Sequence, residues 1–187
     1  MMRRSLTFLA VMALAAGCAS NPGKRQKIID DEVARLRAPE IPLTSFGAFE
    51  IRPIAMSPDV QEKPEKVAVA SDLGQRLEAQ LRPTLDGWAA AAPAPAKGRT
   101  LVIQPTVVNL RIVGGASRFW LGAMAGDSSI DVDLQLVDKA SGRAIAKERI
   151  AKSSGGMSGA WSMGATDKNL TQYVIDIANA YLVKYHP

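Results

Sequence analysis

Residues 129–142, SIDVDLQLVDKASG, decide the fold. Ile130, Val132, Leu134 and Leu136 alternate with Asp131, Asp133 and Gln135, the period of two that gives a strand one buried and one solvated face. Lys139 to Gly142 then reads as a tight connection, with Gly142 supplying the positive φ that such a turn needs. Residues 143–151 (RAIAKERIA) return antiparallel. Charge argues the register. With Gly142 in a bulge, Asp133 falls opposite Lys147 and Asp131 opposite Arg149, whereas a slip of one residue sets Asp133 against Glu148. The first register is expected, with both aspartates as a paired, solvated strand face rather than a metal or acid–base cluster.

Outward from this hairpin, residues 99–113 (RTLVIQPTVVNLRIV) are rich in β-branched side chains and predict a long strand interrupted by Pro105. Before it, Val69, Leu73, Leu77, Leu81 and Leu85 recur every four residues and predict an amphipathic helix over about 65–85, loosened at Pro83 and followed by a proline-broken linker at 89–97. Residues 45–56 alternate well enough for a first strand, and Pro53 places it at an edge or a bulge. Pro58 and Pro64 bound a loop. A short helix over 28–38 puts Ile29, Val33 and Leu36 on one stripe. Residues 166–185 carry Leu170, Val174, Ile177 and Tyr181 at helical spacing after an N-cap candidate, Thr166 or Asp167. The core order is therefore β-α-β-β-β-α. Two helices segregated from a mainly antiparallel sheet make an α+β two-layer sandwich.

The chain has 187 residues, 47% hydrophobic and 22% charged, with a net charge of +5. That suits one globular domain and excludes a disordered or multi-span membrane chain. One cysteine, Cys18, and one histidine, His186, leave no internal disulfide, no zinc set and no histidine-based triad. No G-x-S-x-G elbow or phosphate-cradling glycine pattern occurs. No metal or other cofactor is expected, and no enzymatic activity.

The first residues are an address. Met1-Met2-Arg3-Arg4 is basic, residues 6–14 are apolar, and Ala15-Ala16-Gly17 are small, the pattern of a secretory signal peptide too short to span a bilayer. Leu14-Ala-Ala-Gly-Cys18 resembles the bacterial lipoprotein signal. The resemblance implies cleavage after residue 17 and several acyl chains on Cys18, enough for stable membrane attachment. Ala13-Leu14-Ala15 also satisfies the rule of ordinary signal peptidase, which would release a soluble periplasmic protein. The expected organisation is a signal peptide at 1–17, the lipidated cysteine and a tether at 18–44, and one α+β domain at 45–187. Ala19, in place of an aspartate, favours by resemblance the outer membrane on its periplasmic side. Export removes nucleic acid as a partner, and no Lys/Arg cluster interleaved with aromatics suggests one.

Two segments are not explained by a plain core. Residues 114–128 (GGASRFWLGAMAGDS) hold Phe119, Trp120, Leu121 and Met124, and residues 153–165 (SSGGMSGAWSMGA) hold Met157, Trp161 and Met163. If the third and fourth strands form a hairpin, both segments emerge at one end of the sheet. A joined aromatic and Met patch there marks a partner or ligand surface, a region that dips into a membrane interface, or a cap that buries its own aromatics.

Residues 118–126 (RFWLGAMAG), followed by residues 136–142 (LVDKASG), resemble proteobacterial outer-membrane lipoprotein families of unknown function, over about residues 45–185. No catalytic residues are established for such families, so none is carried over. The resemblance implies a small α+β envelope domain, attached to the membrane through its N-terminal lipid. The expected role is a non-catalytic binding or assembly module that engages another envelope protein or a second copy. The alternative is a carrier or sensor of a small apolar molecule or lipid.

Overall fold

The computed structural model describes residues 22–112, 127–153 and 165–186. The hairpin is its centre. β3 (Thr100–Arg111), β4 (Ser129–Asp138) and β5 (Ala144–Ser153) form an antiparallel sheet in that order. The far edge of β3 is lined by β1 (Ala48–Ile51) and β2 (Ala55–Met56), both parallel to it. The sheet is thus mixed. Prolines explain why the edge strand comes in two pieces. The Arg52 amide donates to the Ile103 carbonyl at 2.9 Å, and the next parallel rung needs an amide from residue 105. Pro105 has none, and Pro53 lies opposite the gap.

Four α-helices lie among the described residues, where sequence periodicity suggested three, at 28–38, 65–85 and 166–185. They are α1 (Pro22–Arg35), α2 (Pro58–Gln61), α3 (Pro64–Ala91) and α4 (Ala165–Lys184). Pro58 and Pro64 do not bound a loop but open α2 and α3, because a proline in the first turn gives up an amide that has no intrahelical acceptor there. Pro83 is tolerated inside α3, which continues for two turns beyond it. Thr166 and Asp167 fall within the first turn of α4 and not before it.

The core lies between the helices and one sheet face. Leu73, Leu77, Leu81 and Leu85 of α3 meet Leu101, Ile103 and Val107 of β3, Val132, Leu134 and Leu136 of β4, and Val174, Ile177 and Tyr181 of α4, all buried. Each such aliphatic side chain contributes about 1.5–3 kcal/mol by leaving water.

The β4–β5 register differs from the expectation by two residues. Asp133 sits opposite Arg149, Gln135 opposite Lys147 and Asp131 opposite Ala151; Glu148 faces Leu134. Two insertions add up. The connection holds four residues, closed by Asp138 N–H to Arg143 O at 3.0 Å and Gly142 N–H to Asp138 O at 2.8 Å. A bulge then carries the pairing from Val137↔Ala144 to Leu136↔Ala146, leaving Ile145 as the extra residue. Ile145 is buried and Ala146 packs against the same core, so the bulge puts two successive side chains on the helix side. An even shift preserves which face each residue occupies. Gly142 has φ +68°, as its place in the turn requires.

The region expected to be tether contributes to the folded body from α1 onward. Ile29, Val33 and Leu43 are buried in the common core.

Candidate functional site

The end of β3, the start of β4 and the end of β5 lie side by side. Arg111 pairs with Ser129, and Ser129 with Ser153. The chain therefore enters and leaves the first Gly/aromatic segment, and enters the second, at one end of the sheet, as the hairpin argument requires; Leu170 of α4, which follows the second, lies beside Leu110 and Ile130 there. Phe119, Trp120, Leu121, Met124, Met157, Trp161 and Met163 themselves, like Cys18, lie outside the described residues. Beneath this end, Val69, Leu110, Ile112, Ile130 and Leu170 enclose a cavity of about 10 Å³, space for about one water. Beside it an open groove runs past Lys63, Lys66 and Arg111.

The sheet face away from the helices is polar, and its charges are satisfied. Arg149 donates to both Asp133 oxygens, at 2.7 and 3.1 Å, with Lys147 at 3.9 Å. The Arg149 hydrogen bond holds the Asp133 carboxyl below the usual carboxylate range. Asn109 donates to Asp131 at 3.2 Å. Lys139 donates to Glu50 at 2.8 Å and lowers its pKa; at the end of β4, on the helix side, Arg99 does the same for Asp138 at 3.0 Å. Asp138 also accepts from the Ala140 amide at 3.1 Å, which fixes the start of the turn. These carboxylates are held charged, the opposite of what a general acid needs. Asp133 acts as expected, as a strand-face partner of cations, although opposite Arg149 and not Lys147; Asp131 does not meet Arg149 as expected but faces Ala151 and accepts from Asn109. Among the described residues no group of three or more His, Cys, Asp or Glu side chains converges to hold a metal ion.

His186 packs against two aromatic rings. It stacks on Trp88 at 3.9 Å with an interplanar angle of 2°, while Phe49 meets both rings edge-on. Burial there lowers its pKa.

A second arrangement was not visible in the sequence: the docking of α1. Arg25 forms an ion pair with Asp176 and lies over the Tyr173 ring, 4.6 Å from its centroid. Asp176 also accepts from Gln80 at 3.1 Å and Gln172 at 2.8 Å. Farther along, Lys152 meets Glu32 at 2.9 Å, the Arg37 amide donates to Glu148 at 3.1 Å, and the buried Tyr181 hydroxyl donates to the Arg37 carbonyl at 2.9 Å. Arg25, Glu32 and Arg37 are each separated from their partners by more than 100 residues, and the only local signal was the Ile29/Val33 stripe.

Solved structures of similar outline include the PelC dodecamer of Paraburkholderia phytofirmans, 16% identical, covering 78% of this chain and 94% of that one, with a TM-score of 0.45. The hypothetical protein CT253 of Chlamydia trachomatis is 13% identical, covering 74% of this chain and 99% of its own, with a TM-score of 0.38. The protein XCC0632 of Xanthomonas campestris, described under the family model DUF330, is 12% identical, covering 79% and 92%, with a TM-score of 0.35. Among curated proteins none matches the chain. The model of a domain of unknown function, DUF4410, matches residues 41–161, from the segment before β1 through the second Trp-bearing segment, and the chain belongs to that family.

Proposed function

We propose that the chain is exported, acylated at Cys18 and held on the periplasmic side of the outer membrane, where its α+β domain serves as a non-catalytic binding or assembly module of the cell envelope. The address rests on residues 1–18, whose basic, apolar and small-residue order ends at the single cysteine. The convergence of the chain ends at Arg111, Ser129 and Ser153 carries the module reading, because it brings the entry and exit of the first Gly/aromatic segment and the entry of the second to one place. The carrier reading needs an apolar cavity lined by Phe119, Trp120 and Trp161, which lie outside the described residues.

The test has two parts. The intact mass of membrane-extracted protein, against a Cys18→Ser form, is expected to show the added acyl chains; an unshifted mass ends the lipoprotein reading. Photo-crosslinking in the native envelope from Trp120 and Trp161 is expected to give intermolecular adducts. Only intramolecular products from both positions would make the segments a structural cap and end the module reading.

A further inference from the structure

We infer that the end of the body where β3 and β5 finish and β4 begins faces the bilayer, so that the component this end meets is the lipid surface itself. The inference rests on acylation at Cys18 and names the partner of the same site. It comes from the direction of α1. Near its N-terminus Arg25 meets Tyr173 and Asp176 of α4, and beyond its C-terminus Arg37 and Leu36 meet Tyr181 and Tyr185, so α1 and α4 run the same way. Against β5 the order is reversed. Arg37 meets Glu148 and Glu32 meets Lys152, so the N-terminus of α1 points toward the end where β5 stops at Ser153.

Pro22 begins α1, four residues after Cys18. Four residues reach at most about 14 Å. The body is much longer, because the 28 residues of α3 alone extend about 42 Å. A lipid on Cys18 therefore holds the body by this end. The buried Ile29 and Val33 and the contacts of Arg25, Glu32 and Arg37 leave α1 no freedom to swing as a tether would. Lys63 and Lys66, at the start of α3, and Arg111, at the end of β3, line the groove at this same end and suit phosphate headgroups, with Glu65 beside them. The 138–143 turn and the loop around Lys97 lie at the other end, pointing away from the membrane.

The experiment uses the chain beginning at Cys18, coupled through that thiol to a maleimide lipid in phosphatidylethanolamine/phosphatidylglycerol vesicles. A fluorescent amino acid is placed in turn at Lys63, Asp127, Lys97 and Ser141, and quenching by headgroup-nitroxide lipids is read. Quenching at least threefold stronger at Lys63 and Asp127 than at Lys97 and Ser141 is the expected result. Equal quenching at all four sites, stronger quenching at Lys97 and Ser141, or loss of quenching at the near sites because a second copy or another protein covers them, overturns it. Chemical coupling keeps this outcome separate from the acyl-mass measurement, so an unacylated native chain and a wrongly oriented body give different results.

Discussion

At Gly47 an ideal Cβ would come within 2.7 Å of the Ala96 carbonyl oxygen and of the Lys97 Cα. Both are backbone atoms of the loop between α3 and β3, and neither can yield like a side chain. Gly47 is there because the chain entering β1 must touch that loop; its amide donates to the Arg99 carbonyl at 3.1 Å. Gly47→Ala is expected to cost about 1–3 kcal/mol, the range for overpacking, read as a lower urea midpoint at unchanged m-value. Asp176 makes a different kind of prediction. Burial raises its pKa, but the hydrogen bonds from Arg25, Gln172 and Gln80 outweigh that and leave it lowered. A folded-state pKa below the unfolded one gives stability that is present above the unfolded value and is lost as pH falls through the folded one. Acidification below about pH 4 is therefore expected to loosen the α1–α4 seam. Hydrogen exchange of α1 amides, corrected for intrinsic rates, checks this. Asp176→Asn should remove roughly 1.5–3 kcal/mol at neutral pH and flatten the acid response. An α1 whose protection is the same at pH 6 and pH 3.5 in both proteins would contradict the assignment.

The elements divide into those whose signal is local and those whose signal is not. α3, β4 and α4 were legible because a periodic stripe of Leu, Ile and Val meets one core, and the burial of Leu73, Leu77, Leu81 and Leu85 follows that stripe. The β4–β5 register was not. It depends on one extra residue in the connection and one at Ile145, and nothing within β5 itself says that Ile145 and Ala146 both turn inward. The parallel pairing of β1 with β3 was equally hidden, since alternation does not encode the direction of the neighbouring strand. For α1, Ile29 and Val33 were recognised as a stripe, but their partners lie on α4. Ile29→Ala is accordingly expected to cost about 2 kcal/mol, the low end for a buried Ile at the margin of a core. The same change at the neighbouring Ile28 is expected to cost less, because Ile28 is only partly buried while Ile29 is 5% exposed. Denaturant melts of the two variants side by side check the difference. Equal losses would mean that α1 does not dock by this face.

Over the whole molecule, the family match and the folded unit do not coincide. The match covers residues 41–161, whereas the core is closed by α1 before it and α4 after it. α4 alone supplies Leu170, Val174, Ile175, Ile177, Tyr181 and Leu182 as buried side chains. At about 1.5–3 kcal/mol each, their loss amounts to about 9–18 kcal/mol, as large as the roughly 5–15 kcal/mol by which a domain of this kind is stable. The sheet face they cover holds Val132, Leu134 and Leu136, which would then stand in water. A chain cut at residue 161 is therefore expected not to fold. Its far-UV spectrum should lack a cooperative thermal transition and its amide resonances should be poorly dispersed, whereas residues 22–187 should give one sharp transition. A cooperative melt of the shorter chain would show that the sheet and α3 form an independent core, and that α4 is an addition to it rather than its second layer.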